Sequence, residues 1–331
     1  MHGPRPSQRD LLRSPAVHVI ASYARRLLSA TDAAVARLAD ADDLEALHDS
    51  RVGLRRLRGW LQAFDSQLQL RRRQRCVLRR LAQATNPARD AEVCIQWLAR
   101  LRSQLDTHTQ SGVTGFLTYL AALRDNSYRR IRKELPPTWN KLSRRLQHAA
   151  SAVKDSGHAH AIFLQAYSAS LRDYATDFSA TLERARLSPD AARIHRVRIA
   201  AKKLRYLLES ILRWHPQAKG LVKELKALHE TTGAIQDLQR FQALTQQAFL
   251  HLVDTRYRRL SVMYTDVGSD HRTLKHPDLT PGLLPLLWIG RAAYIKQAEY
   301  IARFKKDYLS RKRPACLTHL RKFMTQLTHP A

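Results

Sequence analysis

Two stretches of this chain, 147 residues apart, are written in the same pattern, and that constrains the fold more than any other feature. Residues 47–58 read LHDSRVGLRRLR and residues 194–205 read IHRVRIAAKKLR. Aligned without gaps, His48 falls on His195, Arg51 on Arg198, Arg55-Arg56 on Lys202-Lys203 and Leu57-Arg58 on Leu204-Arg205. The register continues: residues 78–90 (LRRLAQATNPARD) lie over 225–237 (LKALHETTGAIQD), with Leu78 on Leu225, Arg79 on Lys226, Leu81 on Leu228 and Asp90 on Asp237. A register kept from residue 47 to residue 90 is the mark of a tandem internal repeat. Further on, residues 116–135 resemble 289–308 at an offset near 173, so about 26 residues are inserted in the second half. The breaker-rich stretch 265–282 (TDVGSDHRTLKHPDLTPG) is the expected insertion and reads as a loop.

Each repeat is long enough for a bundle, and the residues between the breakers are helix formers. The chain has only 11 Gly in 331 residues, and its hydrophobic fraction of 44% is ample for a core. Apolar residues recur at three- and four-residue spacing over 17–39, 43–65, 71–84, 90–106 and 112–135, then over 160–186, 190–213, 219–231, 235–260 and 284–309. No segment alternates with the period of a strand. Pro136-Pro137, Leu187 to Asp190 and Pro216 mark helix ends. The expected fold is all-α: a tail over 1–16, a first four-helix bundle over 17–150 and a second over 151–331, related by a pseudo-twofold axis, with the boundary near 151–158. Such an axis brings the two motif helices to one shared surface.

On a helical wheel with His48 at zero, Arg51 falls at roughly 300°, Arg55 at roughly 340° and Arg58 at roughly 280°. Leu54, Leu57 and Leu61 occupy a neighbouring arc that belongs in the core. The second copy repeats this, with His195, Arg198, Lys202 and Arg205 on one arc and Ala201, Leu204 and Leu208 on the other. Arg56 and Lys203 sit beside the cationic arc. Cations at these spacings repel one another, yet no carboxylate interrupts residues 51–60 or 195–208. Such a row suits a polyanion. The whole chain carries 57 Lys and Arg against 28 Asp and Glu, a formal charge of +29, which also calls for an anionic partner.

The pattern H-x-x-R-x-x-x-[RK]-[RK]-L-R, present twice in an all-helical chain, resembles the CHAD family of histidine-containing α-helical domains. The later Asp of each half (Asp90 and Asp237) resembles that family's second signature, and the resemblance covers roughly residues 17–325. It implies two four-helix bundles and the binding of inorganic polyphosphate in a basic groove between them. The ligand-facing residues it implies are His48, Arg51, Arg55, Arg58, His195, Arg198, Lys202 and Arg205. Secondary candidates are Arg56, Lys203, Arg79 and Lys226, with the basic runs Arg129-Arg130, Arg132-Lys133, Arg303 and Lys305-Lys306. Many relatives also carry a triphosphate tunnel domain marked by E-x-E-x-K. That motif does not occur in this sequence, so a stand-alone, non-catalytic binding module is expected, cytoplasmic and associated with polyphosphate granules.

Other signals point away from catalysis. Asp90 and Asp237 are expected to hold a nearby Arg or cap a helix, because no acidic cluster accompanies them to hold Mg²⁺. No G-x-S-x-G, Walker loop or C-x-x-C occurs. Cys76, Cys94 and Cys316 lack metal-ligand spacing, and His158, His160, His271 and His276 read as loop residues, so neither metal nor cofactor is expected. No run of 18 apolar residues suggests a membrane span, and residues 1–26 lack the apolar stretch of a secretory signal. Trp60, Trp97, Trp139, Trp214 and Trp288 read as core or boundary residues rather than a base-stacking platform. Nucleic acid is the alternative partner, on phosphate contacts alone. An enzyme of phosphate metabolism is the third reading.

Overall fold

The computed structural model describes residues 12–43, 45–102, 107–152, 161–265, 283–310 and 315–328. Its helices are α1 (Ala16–Ala36), α2 (Glu45–Ala63), α3 (Arg72–Ala84), α4 (Asn86–Arg102), α5 (Thr107–Ala152), α6 (Phe163–Leu187), α7 (Ala191–Ile211), α8 (Ala218–Thr265), α9 (Leu283–Phe304) and α10 (Ala315–Thr328). Among the described residues there is no strand, only an isolated antiparallel bridge between Pro15 and Ile162. The fold is all-α. The expected insertion falls almost wholly, and the expected bundle boundary largely, outside the described residues.

Two expected breaks are absent. Pro136 and Pro137 lie inside α5 rather than at its end. A proline inside a helix costs about 3 kcal/mol. Ile131, Leu135, Trp139, Leu142 and Leu146 are all buried across that point, each contributing about 1.5–3 kcal/mol, and Trp139 Nε1 donates to Asp32 at 2.7 Å. Packing on both sides of the prolines therefore outweighs the local penalty. Likewise α8 runs unbroken through Gly233, where two helices were expected. There Thr232 donates to the Leu228 carbonyl at 2.8 Å, and Gln297 donates to the Ile235 carbonyl at 3.2 Å. Helix α10 was not anticipated.

The chain divides into two compact units, and each takes segments from before and after residue 150. Unit 1 comprises residues 1–86, 129–232 and 304–331; unit 2 comprises 87–128 and 233–303. In unit 1, α1 packs on α2, α6 on α7, and α2 on both α3 and α7. Gly53 makes the first of these contacts close: a Cβ there would lie 2.6 Å from Thr31 Oγ1, so only glycine fits. An aromatic run (Tyr23, Trp60, Phe64, Phe163, Tyr167) threads this core. Trp60 Nε1 donates to the Ile20 carbonyl at 3.0 Å and the Tyr167 hydroxyl to that of Leu207 at 2.9 Å, so the polar ends of both rings are satisfied. Asp190 caps α7, accepting the Arg193 backbone N–H at 2.7 Å. The core of unit 2 is built from Cys94, Leu98, Phe116, Leu120, Leu238, Phe241, Ile289 and Ala293. Of the tryptophans, Trp60 and Trp139 are buried and Trp97 and Trp214 half-buried, but Trp288 is exposed, against expectation.

Candidate polyanion-binding site

The two motif helices, α2 and α7, pack against each other within unit 1. Leu54, Leu57 and Leu61 on α2, with Ala201, Leu204 and Leu208 on α7, are buried. That burial sets the rotation of both helices and leaves the cationic arcs half-exposed at the surface. Arg51, Arg55, Arg58, His195, Arg198, Lys202 and Arg205 are half-buried, while His48, near the start of α2, is exposed.

A side chain that directly follows the second motif ties the helices together. Arg55 Nη2 donates to the Tyr206 hydroxyl at 2.8 Å. Arg205 stacks on the Tyr206 ring at 5.0 Å, and the Lys202 ammonium lies 5.8 Å from the same ring centre. Gly59 on α2 faces this ring: a Cβ there would lie in ordinary contact, 3.4 Å from Tyr206 Cδ2. Arg51 is bonded within the unit. Its guanidinium donates to the Thr85 carbonyl and, at 2.7 Å, to the Thr85 hydroxyl, which fastens α2 to the end of α3.

The electrostatics of the cluster are one-signed. Burial, reinforced by Arg55, Arg198, Arg58 and Arg205, pushes the Lys202 ammonium down to about 6. His229 on α8 is pushed down to about 3, first by burial and then by Arg198, Arg205, Lys202 and Arg55. The Arg58 guanidinium is likewise lowered by burial, then by Arg55, against a raising contribution from Tyr206, with Arg79 adding to the depression. Glu209 works against this field where it meets Arg205 at 3.3 Å. Buried Nε atoms of Arg55 and Arg205, and Nδ1 of His229, make no hydrogen bond. A crowded positive field of this kind favours an incoming oxyanion, which relieves the repulsion.

The secondary candidates scatter. Arg79 and Lys203 join Arg58 around a cleft of about 520 Å³, and Lys203 is also paired with Asp177 at 3.7 Å. Arg56 lines a separate cleft of about 330 Å³ with Tyr206 and Glu209. Lys226 is exposed and paired with Glu230 at 3.9 Å. Arg129, Arg130 and Lys133 are exposed on α5, whereas Arg132 donates to the Ala41 carbonyl at 2.7 Å. Lys305 and Lys306 are exposed in unit 1; Arg303 counts with unit 2. None of these runs is among the principal charges acting on Lys202 or His229.

Asp90 and Asp237 lie in unit 2 and meet one guanidinium, that of Arg240, at 3.1 and 3.7 Å. The Cys94 thiol beside them is pushed up to about 12, by burial first and then by the two carboxylates. Among the described residues no group of His, Cys, Asp or Glu is arranged to hold a metal ion. His158, His160, His271 and His276 lie outside the described residues. No described helix is long and apolar enough to cross a membrane.

Sequence reasoning missed Tyr206, His229 and Thr85. The first two stand where the copies disagree: Tyr206 falls on Gly59 and His229 on Ala82 at the 147-residue offset. Those mismatches were the available signal.

A family model of the CHAD domain matches residues 21–246. The crystal structure of the CHAD domain from the plant Ricinus communis is similar, with a TM-score of 0.59 and 18% identity over 98% of this chain and 97% of that one. No curated protein matches. With its paired motif helices in an all-α fold and the family model matching more than half of its length, the chain belongs to the CHAD domain family.

Proposed function

We propose that this chain binds inorganic polyphosphate, without turning it over, through the cationic faces of α2 and α7 in unit 1. The observation that supports this most is the gathering of Arg55, Arg58, Arg198, Arg205 and Lys202 on two packed helices, where burial first and then the four guanidiniums lower the Lys202 ammonium to about 6. A helix surface with no ligand gains nothing from such repulsion, whereas a chain of phosphates relieves it at every step. Polyphosphate has no bases to read, which fits a site rich in guanidinium forks in which the Tyr206 ring is already covered by Arg205 and Lys202. Binding to the polymer would also carry the chain to polyphosphate granules in the cytoplasm. The proposed roles are direct contact for Arg55, Arg58, Arg198, Lys202 and Arg205, with His48 and His195 at the N-terminal ends of the two rows. Asp90 and Asp237 have a structural role, holding Arg240.

The test is competition calorimetry at fixed salt, with long-chain polyphosphate set against duplex DNA at equal phosphate concentration. Polyphosphate is expected to displace DNA and DNA to fail to displace polyphosphate. Equal displacement in both directions would turn the reading to non-specific binding of nucleic acid through its phosphates.

A further inference from the structure

Helix α9 is apolar on more than one side. Its inner wall, Leu286, Ile289, Ala293 and Phe304, is buried. Its other wall, Leu284, Leu287, Trp288, Tyr294 and Ile295, follows the same three- and four-residue rhythm and is 46–67% exposed. A helix that packs one wall on a core ordinarily carries polar residues on the other, and one that is apolar all round is ordinarily covered. The stripe from Leu284 to Ile295 is about 16 Å long, and its Trp and Tyr alone leave on the order of 200 Å² in water. The second half of α8 adds Leu250, Val253, Tyr257 and Val262, so nine of the eleven exposed large hydrophobics among the described residues lie in unit 2.

We propose that the exposed stripe of α9 is a self-association surface through which two copies of this chain pair. The first ground for a second copy as occupant is charge. Unit 2 contains 13 basic and 10 acidic residues, a net +3, leaving +26 of the +29 to unit 1. Two copies meeting through unit 1 would set +26 against +26, whereas unit 2 is the near-neutral part of the molecule. The second ground is that the stripe is self-complementary. An antiparallel two-fold pairing centred between Ile289 and Gly290 puts Leu284 opposite Ile295, Leu287 opposite Ala292 and Trp288 opposite Arg291, each contact occurring twice. Arg291 is the one cation within the stripe, and this pairing places it over an aromatic face instead of another cation. The neighbouring Lys296 is neutralised by Glu299 at 2.5 Å. The sparse positive charge fits an anionic membrane poorly, since surface-binding helices flank their apolar face with Lys and Arg.

The test is sedimentation equilibrium of the whole chain without polyphosphate, from about 1 to 100 µM, in salt high enough to shorten the screening length to about 3–5 Å. The wild-type mass should rise with concentration from 38.0 kDa towards twice that value. Leu287→Glu with Trp288→Glu should weaken pairing at least about tenfold, because both lie at the centre of the contact. Leu187→Glu, an exposed leucine of unit 1, should leave it unchanged. Arg291→Glu, checked for unchanged helicity by circular dichroism, should weaken pairing a few-fold and serves if the double variant misfolds. A wild-type chain that stays at 38.0 kDa throughout, or α9 variants that pair as tightly as wild type, would overturn the proposal. So would wild-type chains that stay single but sediment with phosphatidylcholine–phosphatidylglycerol vesicles.

Discussion

In unit 1, α2 and α7 place Arg and Lys at the positions their buried leucines leave open; in unit 2, α9 places Leu, Trp, Tyr and Ile there. Both units bury an apolar core through the same three- and four-residue rhythm, so the fold requires neither choice. The charge of +29 is therefore a local property: +26 belongs to one unit and +3 to the other. Within unit 1 the concentration is sharper still, since the guanidiniums of Arg55, Arg58, Arg198 and Arg205 all act on Lys202, while Glu209 meets Arg205. Clustered like charges destabilise the empty state, and exposed apolar residues expose it to association. Unit 1 thus concentrates like charge and unit 2 exposes apolar surface, and the partners proposed for them differ accordingly in chemistry.

The contrast should break most visibly under charge reversal. Arg58→Glu with Arg205→Glu removes two charge-assisted contacts worth about 1.5–3 kcal/mol each, so polyphosphate affinity should fall on the order of 10²- to 10⁴-fold by calorimetry. Arg256→Glu with Arg258→Glu changes charge equally in unit 2 and should stay within about twofold. Comparable losses in both variants would mean that net charge, not the motif helices, governs binding.

A stability effect comes next. Arg51→Ala leaves the buried Thr85 hydroxyl and carbonyl without their guanidinium, which should cost about 1–3 kcal/mol. Urea unfolding should show it as a lower midpoint at unchanged slope.

The pH response separates the empty from the occupied site. In the free protein Lys202 is depressed to about 6 from the usual lysine value, so between about 6 and 10.5 the unfolded chain binds more protons. Its contribution to stability should rise with pH through that window and be lost as pH falls. His229, depressed to about 3 from the ordinary 6.5, acts with the same sign between those values. Bound polyphosphate reverses the field and raises the Lys202 pKa, so binding takes up a proton. Affinity should then strengthen as pH falls from the bound-state value and level off below about 6, by at most about tenfold per pH unit for one proton. Titration at pH 7 in two buffers of different ionisation enthalpy measures the uptake, and Lys202→Met should abolish it.

The smallest change expected is at Lys226. It is exposed and already paired with Glu230, so Lys226→Gln should weaken binding less than about twofold.

The all-α class and the burial of Leu54, Leu57, Leu61, Ala201, Leu204 and Leu208 were legible because helical period and amphipathic spacing are local signals. The run of α5 through Pro136-Pro137 was not, because the packing of Trp139 and its neighbours overrides a local breaker. Nor was the role of Arg51: the wheel assigns a direction to a side chain but does not reveal that Thr85 waits there. Tyr206 and His229 were not legible because a repeat points to positions where the copies agree, and both stand where the copies differ. The exposed stripe of α9 was hidden for a related reason, since an apolar rhythm reads as core whether or not anything covers it.

The most direct test of the central claim is arginine footprinting. The folded chain is treated with phenylglyoxal with and without long-chain polyphosphate, and modification is read residue by residue by mass spectrometry. Polyphosphate is expected to protect Arg55, Arg58, Arg198 and Arg205 while Arg256 and Arg258 react as before. Protection spread evenly over both units, or absent from those four arginines, would contradict a polyphosphate site on the paired motif helices.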